Sequence, residues 1–198
     1  MNKWLHPIEL ARGKVKLEPL SLAHAKGIRH AVQDGALWQL WYTAAPAPQQ
    51  VEPFITQALE ELAQGQSLPF AVVNTQSQQV VGTTRLMHAD AINKRIEIGH
   101  TWYAKSAQQT GINTLCKYLL LEYAFETLQC IAVEFRTHWH NLPSRTAIAK
   151  LGAKQDGVLR NHKLDKTGNL RDTVVFSIID REWKTVKHSL EFKINKQY

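Results

Sequence analysis

The stretch that decides the fold of this 198-residue chain reads Trp102-Tyr103-Ala104-Lys105-Ser106-Ala107-Gln108-Gln109-Thr110-Gly111-Ile112-Asn113-Thr114. It predicts the end of a strand, a turn and the start of an amphipathic helix. Such a turn aims several unpaired backbone N–H groups in one direction, at the positive end of the helix dipole. It can therefore receive a pyrophosphate, and Gly111 would let phosphate approach the backbone. A glycine before a helix is also a common turn former, so the stretch needs its context.

Hydrophobic periodicity on both sides of this stretch predicts the remaining elements. The predicted strands are 15–20, 69–74, 79–87, 95–104, 131–137, 157–164 and 170–179, with a turn at 165–169 between the last two. The predicted helices are 21–33, 50–63, 110–128 and 144–151, followed by a helical tail from residue 180. This order is neither βαβ alternation nor an all-β pattern. It predicts an α+β fold, in which helices pack on the faces of a mixed sheet.

Three motifs within this framework, taken together, resemble the GNAT superfamily of N-acetyltransferases. Gln108-x-x-Gly111-x-Asn113 resembles the acetyl-CoA loop of that family, Q/R-x-x-G-x-G/A, although Asn113 replaces the usual small residue. The second motif, Asn141-Leu142-Pro143-Ser144 leading to Leu151-Gly152-Ala153, is similar to the later Asn-x-x-Ser helix of the family. The third, Asp172-Thr173-Val174-Val175-Phe176-Ser177, is similar to the final strand in the branch of ribosomal-protein N-terminal acetyltransferases.

The resemblance implies one GNAT domain over residues 1–198, with its core at about 13–183 and a helical tail at 180–198. It implies a mostly antiparallel mixed sheet with helices on both faces, and acetyl-CoA as the acetyl donor without a metal. The implied cofactor-binding residues are Trp102, Tyr103, Ala104, Gln108, Gln109, Thr110, Gly111, Ile112, Asn113, Thr114, Asn141 and Ser144. A backbone N–H in the segment from Trp102 to Ala104 would stabilise the oxyanion, and this strand would splay from its neighbour to admit the pantetheine arm.

Two residues are candidates for proton transfer. Glu97 lies on a predicted central strand between two isoleucines that face the other way, so partial desolvation suits it as a general base. The alternative is a structural carboxylate paired with Arg85 or Arg95. For the general acid, many relatives use a tyrosine that this chain lacks, and Ser144 is the substitute. The alternative for Ser144 is the N-cap of its helix.

The amine acceptor is expected to enter over the segment between the first two helices. Trp38, Trp41 and Tyr42 are candidates for lining that entrance, and the alternative is that they belong to the core. His138 and His140 lie two residues apart but lack a third metal ligand at suggestive spacing. The acceptor favoured by the resemblance is a protein N-terminal amine. A small-molecule amine, such as a polyamine, an amino acid or an antibiotic, is the alternative, as is a catalytically silent CoA-binding module.

Net charge and cysteine content indicate which partners and which cellular compartment to expect. The net charge of +7 and the pI of about 9.5 favour anionic partners, but the cations are scattered. Charge alone therefore supports a nucleic-acid-binding domain only weakly, and association with ribosomes and a homodimer are expectations by analogy. Cys116 and Cys130 fall in apolar segments and predict buried thiols in a reducing, cytoplasmic compartment. No segment has the length and apolarity that a signal peptide or a membrane span requires.

Overall fold

The computed structural model describes residues 4–165 and 168–196, and in this range the predicted order of elements is confirmed. The strands are β1 (Leu10–Arg12), β2 (Val15–Pro19), β3 (Ser67–Asn74), β4 (Gln79–Asp90), β5 (Arg95–Tyr103), β6 (Ala132–His138), β7 (Lys154–Leu164) and β8 (Leu170–Ile179). The helices are α1 (Ala25–Gln33), α2 (Val51–Ala63), α3 (Ile112–Glu122), α4 (Leu142–Leu151) and α5 (Asp180–Lys196). Strand β1 is an addition to the prediction. Residues 166 and 167 of the predicted turn at 165–169 lie outside the described residues.

The strands form one sheet in the order β1-β2-β3-β4-β5-β6-β8-β7. The β5–β6 pair is parallel, and every other neighbouring pair within the described range is antiparallel. The predicted α+β class with a mixed, mostly antiparallel sheet is therefore confirmed.

Helices cover both faces of this sheet, as neighbouring residues of β4 show. Arg85 points to the α2 side, where it donates to Glu61 over 2.8 Å. Thr84 points to the other side, where its hydroxyl lies 2.8 Å from that of Thr101. Lys117 of α3 donates to the same Thr101 hydroxyl over 2.7 Å. Because successive side chains of a strand point to opposite faces, α2 and α3 lie on opposite sides of the sheet.

Strands β5 and β6 separate after only three paired positions. Their parallel register runs from Arg95 beside Ala132 to Glu97 beside Glu134, and beyond this point β6 pairs with β8 alone. A register shift against β4 lies just past the separation, where His100 has a φ of 46°. A bulge of this kind bends its strand and increases its twist. The C-terminal half of β5 therefore diverges from β6 and opens a gap in the middle of the sheet.

Candidate active site

The turn before α3 presents a row of free backbone donors. Gly111 is the N-cap with a φ of 88°, a left-handed conformation that glycine adopts at little cost. In the described part of the chain, no acceptor pairs with the backbone N–H groups of residues 109–114. The turn is held from within, since Thr110 donates to the Ala107 carbonyl over 2.7 Å and Gln108 to the Tyr103 carbonyl over 3.1 Å. These donors at a helix N-terminus fit a pyrophosphate.

The predicted cofactor residues of this turn fall into two groups. Gln109 and Thr110 are exposed, and Gln108, Asn113 and Thr114 are partly exposed, so a ligand can reach them. Ile112 is buried and anchors α3 in the core. The side chains of Gln108 and Ile112 are thus engaged within the protein, and the turn offers a ligand its backbone N–H groups and the side chains of Gln109, Asn113 and Thr114.

The last residues of β5 are buried, and only some of their polar groups are free to bind a ligand. The Ala104 amide donates to the Val81 carbonyl over 2.8 Å, so it is not free to stabilise an oxyanion, and that part of the prediction is wrong. Burial, with Cys116 beside it, raises the pKa of Tyr103 well above its ordinary value, which makes it a poor acid. Trp102 is also buried, and its indole nitrogen has no partner among the described residues.

The second motif begins α4 with a different cap from the one considered. Asn141, not Ser144, is the N-cap, and its side-chain oxygen accepts from the Ser144 amide over 3.1 Å. The alternative role of Ser144 as N-cap is therefore wrong, because the helix begins at Leu142 and Pro143 fits its first turn. Ser144 is partly exposed, and its hydroxyl has no hydrogen-bond partner among the described residues. It remains free for a ligand.

The parallel pairing of β5 and β6 places the two motifs at one edge of the sheet. The turn before α3 follows the C-terminal end of β5, and Asn141 follows the C-terminal end of β6. Since the two strands run in the same direction, both ends reach the same edge. The gap between the diverging strands opens towards that edge. A nucleotide tail could lie on the α3 turn while an extended arm enters the gap beside the unpaired half of β5.

Glu97 lies where the gap begins and contacts an imidazole and a guanidinium. Its side chain is only 8% exposed, and its Oε2 lies 2.9 Å from His88 Nδ1 and 3.4 Å from Arg136 Nε. The predicted structural pairing with Arg85 or Arg95 is wrong. Arg85 reaches Glu61 of α2, and Arg95 bonds Glu134 on β6 over 2.5 Å. The imidazole of His88 is 56% exposed, so its remaining nitrogen can meet solvent or a substrate.

Of the three aromatic candidates, Trp41 and Tyr42 lie at the end of β6 and Trp38 packs against the hydrophobic core. Trp41 is 51% exposed, and its ring centroid lies 4.7 Å from that of His138 and 5.7 Å from that of His140. Tyr42 packs edge-to-face against Trp41 at 5.5 Å. Trp38 instead packs partly buried against the hydrophobic core, as its alternative interpretation expects. Trp41 and Tyr42 thus line the end of β6 on the same side as Glu97.

Four residues on this side escaped the sequence analysis: His88, Arg136, His162 and Arg171. His138 entered that analysis only as an insufficient metal ligand. One signal could have found some of them, because polar residues alternate at Glu134, Arg136 and His138 along β6, whose other face begins with the apolar Val133 and Phe135. Such alternation marks a strand with one polar face.

No group of three or more metal-ligating side chains occurs within residues 4–165 and 168–196. Over the same range, no helix is long and apolar enough to cross a membrane. Cys116 and Cys130 are buried free thiols, and burial raises the pKa of each to about 12.

Comparison with known proteins assigns this architecture to a family. The profile of the acetyltransferase (GNAT) domain matches residues 14–154. An uncharacterised N-acetyltransferase, p20 of Bacillus licheniformis, is 28% identical over 120 residues, which span 61% of this chain and 66% of that protein.

Two solved structures show the same fold. A GCN5-related N-acetyltransferase from Brucella melitensis superposes with a TM-score of 0.84 at 28% identity, covering 94% of this chain and 85% of that one. RimJ of Mycobacterium smegmatis, solved in complex with CoA-disulfide, superposes with a TM-score of 0.76 at 22% identity, covering 95% and 93% of the two chains. The chain is an N-acetyltransferase that belongs to the acetyltransferase (GNAT) family.

Proposed function

We propose that this enzyme uses acetyl-CoA to acetylate a primary amine by direct attack in the gap between β5 and β6. The observation that carries the proposal is the gap itself, which opens beside Glu97 and leads to the free backbone donors of residues 109–114. The CoA-bound RimJ structure, which has the same fold, supports CoA as the ligand class. Bound acetyl-CoA would supply a thioester carbonyl, and the protein residues would orient the amine and move its proton.

Proton removal from the amine is assigned to Glu97 and His88. A general base must lie within hydrogen-bond reach of the proton or act through one water. Glu97 is buried and reaches solvent through His88, whose Nδ1 it contacts at 2.9 Å. Either Glu97 accepts the proton through water, or it orients His88, whose exposed imidazole accepts it.

Proton return to the departing thiolate is assigned to Ser144. Its amide is tied to Asn141, which fixes the backbone, while its hydroxyl keeps its donor free. The side chain lies in the first turn of α4, at the edge that the gap faces. A fixed hydroxyl at this position suits a proton donor better than the buried Tyr103 does.

The acceptor remains a choice between a protein N-terminal amine and a small-molecule amine. Ribosomal-protein acetylation, with ribosome association and a homodimer, is the proposal that the family branch suggests. An amine acceptor site beside the exposed Trp41 and the polar face of β6 to β8 is compatible with either class. The single sheet that spans β1 to β8 supports one catalytic domain, and two buried thiols favour a cytoplasmic location.

The test is thermal unfolding with and without acetyl-CoA, followed by an acceptor screen. At a hundred times its dissociation constant, a ligand specific for the folded state adds about 2.7 kcal/mol of stability. Gly111→Trp should abolish that gain without unfolding the protein, because the side chain would obstruct the donors of the turn.

The matched control is Gly65→Trp, since Gly65 also has a left-handed φ of 74° and has open space around it. This variant should keep the full gain. Absence of any gain in the wild-type protein would overturn the cofactor assignment, and a gain without turnover on any amine would identify a catalytically silent module.

A further inference from the structure

We infer that the acceptor amine carries a carboxylate, which Arg171 binds on the polar face of β6 to β8, the face that carries Glu134, Arg136 and His138. This inference rests on the proposed function and names the chemical class of its second substrate. The residues that carry it lie on the Glu97 side of the sheet. They are not assigned any role by the family motifs.

Strand register places these residues on one face. Glu97 and Glu134 are neighbours in the parallel pair, so Arg136 and His138, at alternate positions after Glu134, share that face. His138 pairs with Thr173 of β8, and Arg171 lies two residues before Thr173, again on the same face. His162 of β7 joins them through a 3.1 Å hydrogen bond between its Nδ1 and the Thr173 hydroxyl.

The charges on this face do not cancel. Glu134 is bonded by Arg95 and Arg136, and Glu97 is bonded by Arg136 and His88. Arg171 has no ion pair within the described residues, and its buried Nε has no hydrogen-bond partner. Burial lowers the pKa of Arg171, and the charge of Glu97, which is already paired with Arg136 and His88, opposes this only in part. A partly buried guanidinium without a counter-ion in contact is costly unless a ligand supplies the charge.

The positive charges on this face help to lower the pKa values of the neighbouring imidazoles, His138 and His162. Burial first, and then Arg171 and His140, lower the pKa of His138. Burial, followed by Lys163, Arg136 and Arg171, lowers the pKa of His162. These groups therefore stay neutral near pH 7 and can donate or accept single hydrogen bonds beside the arginine.

The acids nearby are already engaged. Asp172 bonds the Arg160 guanidinium over 2.5 Å and accepts from the Asn161 amide over 2.8 Å. Asp165 accepts from the Asn169 amide over 2.9 Å. The guanidinium of Arg171 therefore remains available to a ligand, with His138 and His162 nearby and Trp41 packed against His138. Such a site fits a planar carboxylate through two parallel N–H···O bonds and disfavours a polycation.

The carboxylate could come from a free amino acid or from an acidic side chain next to a peptide N-terminus. A kinetic panel separates these sources: an amino acid and its amide, a short peptide with Asp or Asn at its second position, and spermidine. We expect kcat/KM to be roughly 10- to 100-fold higher for the carboxylate member of at least one pair, the range for a charge-assisted hydrogen bond. The preferred pair identifies the source.

Arg171→Gln should bring the acid-to-amide ratio of kcat/KM close to one, and Arg171→Lys should restore part of it. Arg181→Gln, which removes an exposed arginine at the start of α5, is the control and should keep the wild-type ratio. A wild-type enzyme that prefers amides or spermidine would overturn the inference while leaving the acetyltransferase assignment intact. If no acceptor turns over, calorimetric binding of the amino acid and its amide to the CoA-saturated protein decides: equal affinities would overturn it.

Discussion

Glu97 is the proposed general base, and it is a buried carboxylate that contacts His88 and Arg136. Its Oε2 faces His88 at 2.9 Å and Arg136 at 3.4 Å, so it can take a proton itself or hold the imidazole that does. Glu97→Gln removes the carboxylate that either option needs, as the base itself or as the counter-charge of a protonated His88. It should lower kcat about 100-fold or more, the usual contribution of a positioned base. Steady-state kinetics at saturating acetyl-CoA measures this loss.

His88→Gln tells the two options apart. If His88 is the base, its replacement should cost as much as that of Glu97. If Glu97 acts through water, the loss should stay below about 10-fold, because only an orienting contact is removed. In both variants acetyl-CoA should still raise the melting temperature, since neither residue lies in the turn before α3. Full activity in Glu97→Gln would refute a base at this position.

The start of α4 contains a residue with a structural role, the N-cap Asn141, and three positions later the proposed general acid Ser144. Asn141→Ala removes the cap on the Ser144 amide and should lower the free energy of unfolding by about 1 kcal/mol. Asn141→Gly should cost only a few tenths of a kcal/mol, because glycine exposes the helix end to water. Ser144→Ala should change stability by less than about 0.5 kcal/mol, yet reduce turnover. Urea titration and kinetics on the same preparations compare the three variants, and a Ser144→Ala enzyme with unchanged kcat would exclude its role as the acid.

The elements themselves were largely predictable, because their signals are local. The period of apolar residues predicts α3 and every strand of the sheet except β1, and the Asn-x-x-Ser motif predicts the start of α4 to within two residues. The predicted helix 110–128 is instead an α-helix to Glu122 followed by a π-helical turn at Tyr123–Thr127. That change of winding leaves the apolar pattern intact and so escapes a periodicity argument.

At the scale of the whole molecule, the face proposed to bind the acceptor is built from β5, β6 and β8, which are distant in sequence. Glu97 meets Arg136 of β6, and Arg171 of β8 lies on the same face, although 39 and 74 positions separate them from Glu97. Residue spacing contains no information on such pairs until the strand order β5-β6-β8 is known. The turn before α3 could be predicted because one continuous segment, residues 104–112, makes it. The pairing of Glu97 could not, and its predicted partners Arg85 and Arg95 were wrong for this reason.

The burial of His100 at the bulge of β5 makes the stability of the molecule sensitive to acid. Burial first, and then Arg85 and other cations, lower the pKa of His100 from 6.5 to about 4. Between pH 6.5 and 4, His100 is therefore protonated in the unfolded chain but not in the folded chain, so the free energy of unfolding falls as the pH drops. Above pH 6.5, His100 is neutral in both states and the free energy of unfolding does not change with pH on its account. At pH 5 the loss should be about 2 kcal/mol relative to pH 7.5.

His100→Asn should flatten the dependence of stability on pH between 7.5 and 5. Asparagine tolerates the φ of 46° at this position, so the bulge can survive the substitution. His188→Asn, at an exposed position of α5, is the matched control and should reproduce the wild-type curve. Urea unfolding at half-unit pH intervals gives both curves. His138 and His162 have lowered pKa values and add slope of the same sign, so the variant should retain a weaker dependence. An unchanged slope in His100→Asn would mean that His100 binds its proton equally in both states, and that the bulge of β5 is open to water.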